Sequence, residues 1–175
     1  SPAAGDWSQI LVGGGKVTLE NTHILYSSNT NNEGGVYLTA GSAELKACTI
    51  AHTQYDAIRN NGGTLTAENC VITDSSMAVR PSGGTSTLVN CTIADVTTAV
   101  RGANGRFINC VFSHVASVFE EWGPSAFSYC VFWNPAGFGP QSVSVANANN
   151  NCWVDPLFQN VASADFRPQF GSPLV

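Results

Sequence analysis

The chain has 175 residues, 43% hydrophobic and only 11% charged, with a net charge of −5 and a pI near 4.9. That length suits one domain with a sizeable core. The acidic balance excludes a nucleic-acid partner, which wants a basic face, and no apolar run approaches the roughly 20 residues that cross a bilayer, so membrane insertion is not expected.

The charged fraction lies well below the roughly 25% of ordinary globular domains. Glycine, with 17 residues, and many Asn, Ser and Thr fill the gap, and the Glu/Lys/Leu/Ala runs of long helices are missing. The composition predicts an all-β fold with many tight turns. The chain opens Ser-Pro without a Met. A mature or excised part of a larger secreted or cell-surface protein is therefore expected, with the parent's flanking domains as neighbours.

In chain order, residues 1–16 read as an opening coil. There Gly5-Asp6-Trp7-Ser8-Gln9-Ile10-Leu11-Val12 runs into a glycine turn. Residues 17–154 carry a repeat: a small or Asn residue, usually Cys, one variable residue, then a β-branched or aromatic one. It reads Asn21-Thr22-His23-Ile24, Ala47-Cys48-Thr49-Ile50, Asn69-Cys70-Val71-Ile72, Asn90-Cys91-Thr92-Ile93, Asn109-Cys110-Val111-Phe112, Tyr129-Cys130-Val131-Phe132 and Asn151-Cys152-Trp153-Val154. The last positions of successive units lie 19 to 26 residues apart. A period near 21 suits one turn of a right-handed parallel β-helix, and this pattern predicts about seven coils.

Each position of the repeat then becomes a column along the solenoid. Leu19, Leu45, Ala67, Leu88, Phe107 and Phe127 form one apolar stack, and the Cys and Ile/Phe positions form two more, because alternate strand residues share a face. The Asn positions fall where the chain must bend. Asn tolerates left-handed backbone angles, and stacked Asn side chains would form an amide ladder. A third strand reads Gly35-Val36-Tyr37, Ala57-Ile58-Arg59, Ala78-Val79-Arg80, Ala99-Val100-Arg101 and Ser117-Val118-Phe119, middle residue inward and third outward.

Six cysteines would ordinarily suggest three disulfides. Here all six share one predicted inward column, which suits a ladder of free buried thiols better, since parallel stacking aims the sulfurs poorly for bonding. No spacing resembles a zinc ligand set. The Thr18, Thr66 and Thr87 column is interrupted by Glu44, Arg106 and Ala126, which argues against the flat Thr array of an ice-binding face.

Residues 155–175 read as a closing segment: Asp155-Pro156-Leu157-Phe158, then Asp165-Phe166-Arg167-Pro168, then Gly171-Ser172-Pro173-Leu174. The G-D-W-x-x-I opening resembles β-helix regions of the pectin-lyase-like superfamily in large secreted bacterial proteins. The D-P-L-F … D-F-R-P … G-S-P-L ending resembles the closing segment of right-handed parallel β-helix repeat proteins. The resemblance implies fold and termination rather than an activity. An uncapped solenoid end exposes strand edges, so the segment from Asp155 is expected to lie across one end as a partial cap.

The resemblance also brings polysaccharide lyases and hydrolases into consideration. The hydrolase strings N-T-D, D-D, G-H-G and R-I-K and the lyase string W-I-D-H are absent. A cofactor is not expected; calcium enters only under the lyase alternative. Two sets of residues carry candidate chemistry. Tyr37, Arg59, Arg80, Arg101 and Phe119 form a predicted outward row, a candidate strip for an acidic glycan, with guanidinium forks for carboxylate or sulfate and aromatics for sugar packing. The competing explanation is pairing with Glu33, Asp56, Glu120 or Glu121 on the bordering loops. Tyr26, His52, Asp74, Asp95, His114 and Asn134 form a second column, in which His52, Asp74, Asp95 and His114 are an alternative acid/base set. Its plainer reading is a polar turn column with Asp95 and His114 paired across coils. Tyr55, Trp122 and Trp133 are further aromatic candidates for sugar stacking or for covering coil edges.

Overall fold

A computed structural model describes residues 2–3, 5–27, 34–120, 125–133 and 149–174. β1 (Ile10–Glu20) and β2 (His23–Leu25) open the solenoid. β3 (Val36–Lys46) with β4 (Thr49–Asn60), β5 (Thr64–Glu68) with β6 (Val71–Pro81), and β7 (Thr85–Val89) with β8 (Thr92–Arg101) supply the following coils. β9 (Gly105–Ile108), β10 (Val111–Ser113) and β11 (Ser117–Glu120) form the next, followed by β12 (Ala126–Ser128), β13 (Val131–Trp133) and β14 (Cys152–Trp153). All these strands pair in parallel with the coil before or after. The long strands bend mid-way and serve two faces, so β4, for example, pairs with β2 at its start and with β3 at its end. The result is an all-β parallel solenoid of about 5 turns, somewhat fewer than the seven repeats suggested. Among the described residues, seven rungs are reached only in the stack that runs from β2 to β14.

The predicted columns are realised in register. Leu19 lies beside Leu45, then Ala67, Leu88, Phe107 and Phe127. Ile24, Ile50, Ile72, Ile93, Phe112 and Phe132 form the second stack. The phenylalanines thicken the core near the C-terminal end: Phe107 stacks on Phe127 at 5.0 Å and Phe112 on Phe132 at 5.1 Å, while the two pairs meet edge to face. Both arrangements suit the ring quadrupole.

Two corners per coil are turned on single left-handed residues. The first carries Asn21, Ala47, Asn69, Asn90, Asn109, Tyr129 and Asn150, with φ between 49° and 60°. The second carries Tyr26, His52, Asp74, Asp95 and His114, with φ between 45° and 62°. Left-handed angles cost an ordinary side chain about 1 kcal/mol, less for Asn and Asp, which explains the amides and carboxylates at both corners. The amide ladder is realised where Asn109 Nδ2 donates to Asn90 Oδ1 at 2.8 Å. Ala47 and Tyr129 interrupt it.

Cys48, Cys70, Cys91, Cys110 and Cys130 are free, buried and stacked as expected. Each thiol reaches the carbonyl two residues back and a carbonyl of the preceding coil; Cys91, for instance, donates to Val89 at 3.3 Å and to Ala67 at 3.5 Å. The adjoining thiols and burial push Cys70 and Cys110 well above the ordinary thiol range. The sixth cysteine departs from expectation. Cys152 pairs with Val131 rather than Cys130, and Trp153 takes the place beneath Phe132. The last unit is therefore Asn150-Asn151-Cys152-Trp153, with Asn150 at the corner and Asn151 in the Cys column, where its Oδ1 accepts from the Cys130 amide at 2.8 Å. Cys152 is exposed.

A second departure concerns the closing segment, formed by β15 (Phe158–Asn160), the 3-10 turn η1 (Val161–Ser163) and β16 (Asp165–Pro168), with β15 and β16 antiparallel. It runs along the flank instead of across the end. Phe158 and Phe166 pack on the outward side chains of Ala94, Val111 and Val131. Those positions are apolar where an outer face would ordinarily be polar, so the segment buries a stripe that water would otherwise meet.

Two outcomes are expected. Asn69→Val, a β-branched residue at a left-handed corner, lowers stability by about 1–2 kcal/mol in urea denaturation, while Asn69→Gly stays within about 0.5 kcal/mol of wild type. A thiol reagent modifies Cys152 rapidly in the native protein and the five column cysteines only after denaturation.

Candidate functional site

The third stack presents the arginine row. Tyr37 lies beside Arg59, and Arg59 beside Arg80. Val79 pairs with Val100, which sets Arg80 beside Arg101. Coils spaced by about 4.8 Å thus put three guanidinium stems on one outer face. The fifth member differs from expectation: Arg101 adjoins Glu120, while Phe119 pairs with Val100 and is buried in the core. The residue count explains the shift. Phe119 follows Phe112 at the same interval at which Val100 follows Ile93, so Phe119 rather than Val118 continues the inward stack.

The row is half-buried and knit into its surroundings. The Arg59 guanidinium sits 5.6 Å from the Tyr37 ring centroid, a cation–π distance. Its Nε donates to Asn61 Oδ1 at 3.3 Å, and Asn61 Nδ2 donates to the Tyr37 hydroxyl at 2.9 Å. Arg80 Nε lies 3.4 Å from Asp56 Oδ2. Asp56 is only 3% exposed. Burial pushes its carboxyl up to about 6, against the pull of Arg80, Arg59 and Arg101. Glu120 Oε1 accepts from Thr98 Oγ1 at 2.9 Å. Of the pairings anticipated for the row, Asp56 is thus realised, with Arg80; Glu33 and Glu121 lie outside the described residues.

The second column comes together as a corner column, one residue per coil. Tyr26 stacks on His52 at 4.7 Å, and His52 Nδ1 meets Asp74 Oδ2 in a short contact. The realised cross-coil hydrogen bond is therefore His52–Asp74 in place of Asp95–His114. His114 Nδ1 instead contacts Ser113 Oγ at 2.7 Å. Burial holds the Asp95 carboxyl above the usual carboxylate range, Asp74 adding to the effect and His114 opposing it. Residues 161–164 overhang this column and close a cleft of about 750 Å³ over Thr49, His52, Thr73, Asp74 and Asp95. A smaller hollow of about 260 Å³ continues past His114 to Trp133. Trp133 and Tyr55 are half-buried; Trp122 and Asn134 lie outside the described residues. No group of three His, Cys, Asp or Glu side chains among the described residues is placed to hold a metal ion.

One structural residue was not singled out from sequence. Asn60 is fully buried at the end of β4, and its amide is completely used: Nδ2 donates to the Gly63 and Thr85 carbonyls at 3.0 Å, and Oδ1 accepts from the Gly63 amide at 2.8 Å. A side chain at Gly84 would strike Asn60 Oδ1 and the Gly63 carbonyl. The sequence offers a signal for it in the Asn60-Asn61-Gly62-Gly63 run, where an amide precedes a glycine pair.

The fold now has a family to match. A family model described as a right-handed β-helix region matches residues 8–155, and the chain belongs to that family. Membership of the pectin-lyase-like superfamily is consistent with this. No curated protein and no solved structure matches the chain.

The raised Asp56 carboxyl has a consequence for stability. Its folded value lies above its unfolded value of 3.8. The folded state therefore holds a proton that the unfolded state has lost between about pH 4 and pH 6, and stability falls as pH rises through that window. Asp56→Asn removes this loss. The urea stability of D56N relative to wild type should rise between pH 4 and pH 6 by roughly 2 kcal/mol.

Proposed function

We propose that this chain is a non-catalytic β-helical module of a secreted or cell-surface bacterial protein, a rigid spacer or adhesion element whose arginine row contacts an acidic polysaccharide. The observation that carries the reading is the row itself: Arg59, Arg80 and Arg101 on consecutive coils of one continuous ladder. Like charges at such spacing repel unless anions lie among them. An extended polymer with regularly placed carboxylates or sulfates can follow a straight line of guanidinium groups, each able to bind two oxygens at once. Rigidity supports the same reading, because a solenoid built of parallel ladders does not need to reorder when it binds.

A second reading, a polysaccharide lyase or glycoside hydrolase with a non-standard active site, is favoured by the cleft beneath residues 161–164, where the His52–Asp74 pair and a carboxyl held above its usual range face open space. The module reading predicts that polygalacturonate or a sulfated glucan is retained by the protein and that an Arg59→Gln/Arg80→Gln/Arg101→Gln triple variant binds at least about tenfold more weakly. Equal binding by the triple variant refutes the arginine row as the contact. Incubation with acidic and neutral polysaccharides, with and without calcium, should yield no new reducing ends and no unsaturated products; product that disappears in Asp95→Asn would establish the second reading instead.

A further inference from the structure

We propose that Asp56 is an internal counter-ion that gates the arginine row, so that polyanions bind more tightly once Asp56 takes up a proton. The inference rests on the reading of the row as an anion strip and concerns its regulation.

The geometry is unusual for a stabilising ion pair. Asp56 lies behind the row, 3% exposed, and Arg80 Nε approaches its Oδ2 only to 3.4 Å. Neither atom has a hydrogen-bond partner among the described residues. A buried pair justifies its desolvation only when the remaining donors and acceptors are satisfied. Here the two facing atoms themselves make no hydrogen bond, so the contact between them is held by charge and is open to competition. Among the described residues, the charged groups acting on the Asp56 carboxyl are cations: Arg59 on its own strand and Arg101 from β8 join Arg80 of β6. Further along the row, Glu120 of β11 is engaged by Thr98, and Tyr37 of β3 is engaged by Asn61 and the Arg59 face.

With Asp56 ionised, its carboxylate attracts Arg80 from within, and an incoming sulfate or carboxylate must compete for that guanidinium. With Asp56 protonated, that charge is gone, and Arg80 keeps its full attraction for an external anion. The linkage is reciprocal: a bound anion favours the protonated acid, so binding draws a proton from solution. Because burial brings the carboxyl to about 6, the change falls between neutral and mildly acidic surroundings.

The test uses dextran sulfate, whose charge does not change over the range, at constant ionic strength. Wild type should bind about fivefold or more tightly at pH 5.0 than at pH 7.5, with a midpoint near 6. Asp56→Asn should bind at pH 7.5 as tightly as wild type does at pH 5.0 and lose most of the pH response; general loss of negative charge elsewhere would leave the two proteins responding alike. Should D56N not fold by circular dichroism, Asp56→Ser and the wild-type pH profile read the same quantity, and a flat profile overturns the gate. If the arginine triple variant loses binding but D56N matches wild type at every pH, the gate falls and the strip stands. If no protein binds at either pH, both fall.

Discussion

Parallel register between successive coils is the constraint on which the rest of the molecule depends, and it is enforced at corners rather than within strands. The straight runs between corners are short, and a slip of one residue would send their apolar side chains outward. Left-handed Asn residues precede the strands, and left-handed His and Asp residues set where the long strands bend. The inward columns of Leu, Cys and Ile or Phe then fall on top of one another without further instruction. Within the Cys column, the sulfurs satisfy the carbonyls of the bend they lie under, so a small polarizable side chain fills space and also bonds the backbone.

Much of this was legible because a repeat reads the same physical question several times. Thr18, Glu44, Thr66, Thr87, Arg106 and Ala126 fall in one row as the spacing requires. Reading failed where the identity of a residue and its distance from a neighbour disagreed. Asn151-Cys152 looks like another Asn-Cys unit, yet its register is one residue earlier because Trp153 has to cover Phe132. Phe119 follows the count from Phe112, whereas Val118 follows only the local pattern. The flank position of the closing segment depends on Phe158 and Phe166 finding Ala94, Val111 and Val131, a match between distant parts of the chain that no periodicity reveals. Asn60 was partly hidden for the same reason: beside the local Gly63, its partners Thr85 and Ser86 lie one coil away.

The candidate sites divide along the same line. His52, Asp74, Asp95 and His114 sit together because each turns a corner, so their proximity alone carries no chemistry; what gives the column interest is the segment over it, which only the folded chain supplies. Arg59, Arg80 and Arg101 are not corner residues, and nothing in the backbone demands arginine there. Their alignment costs repulsion, partly relieved by Asp56 from behind. Burying a carboxylate for that purpose has its own cost in desolvation, and the outcome is an acid that is reluctant to ionise beside cations that would welcome it. Stability and ligand attraction then pull on the same proton.

The register itself can be measured as a distance. In a Cys152→Ser background, nitroxide labels placed through Thr18→Cys and Ala126→Cys stand five rungs apart on one face, and pulsed electron-spin spectroscopy should return a narrow distribution centred near 24 Å, five times the ~4.8 Å strand spacing. A broad distribution, or one centred far from that value, would contradict the stacked parallel coils from which every neighbour described above follows.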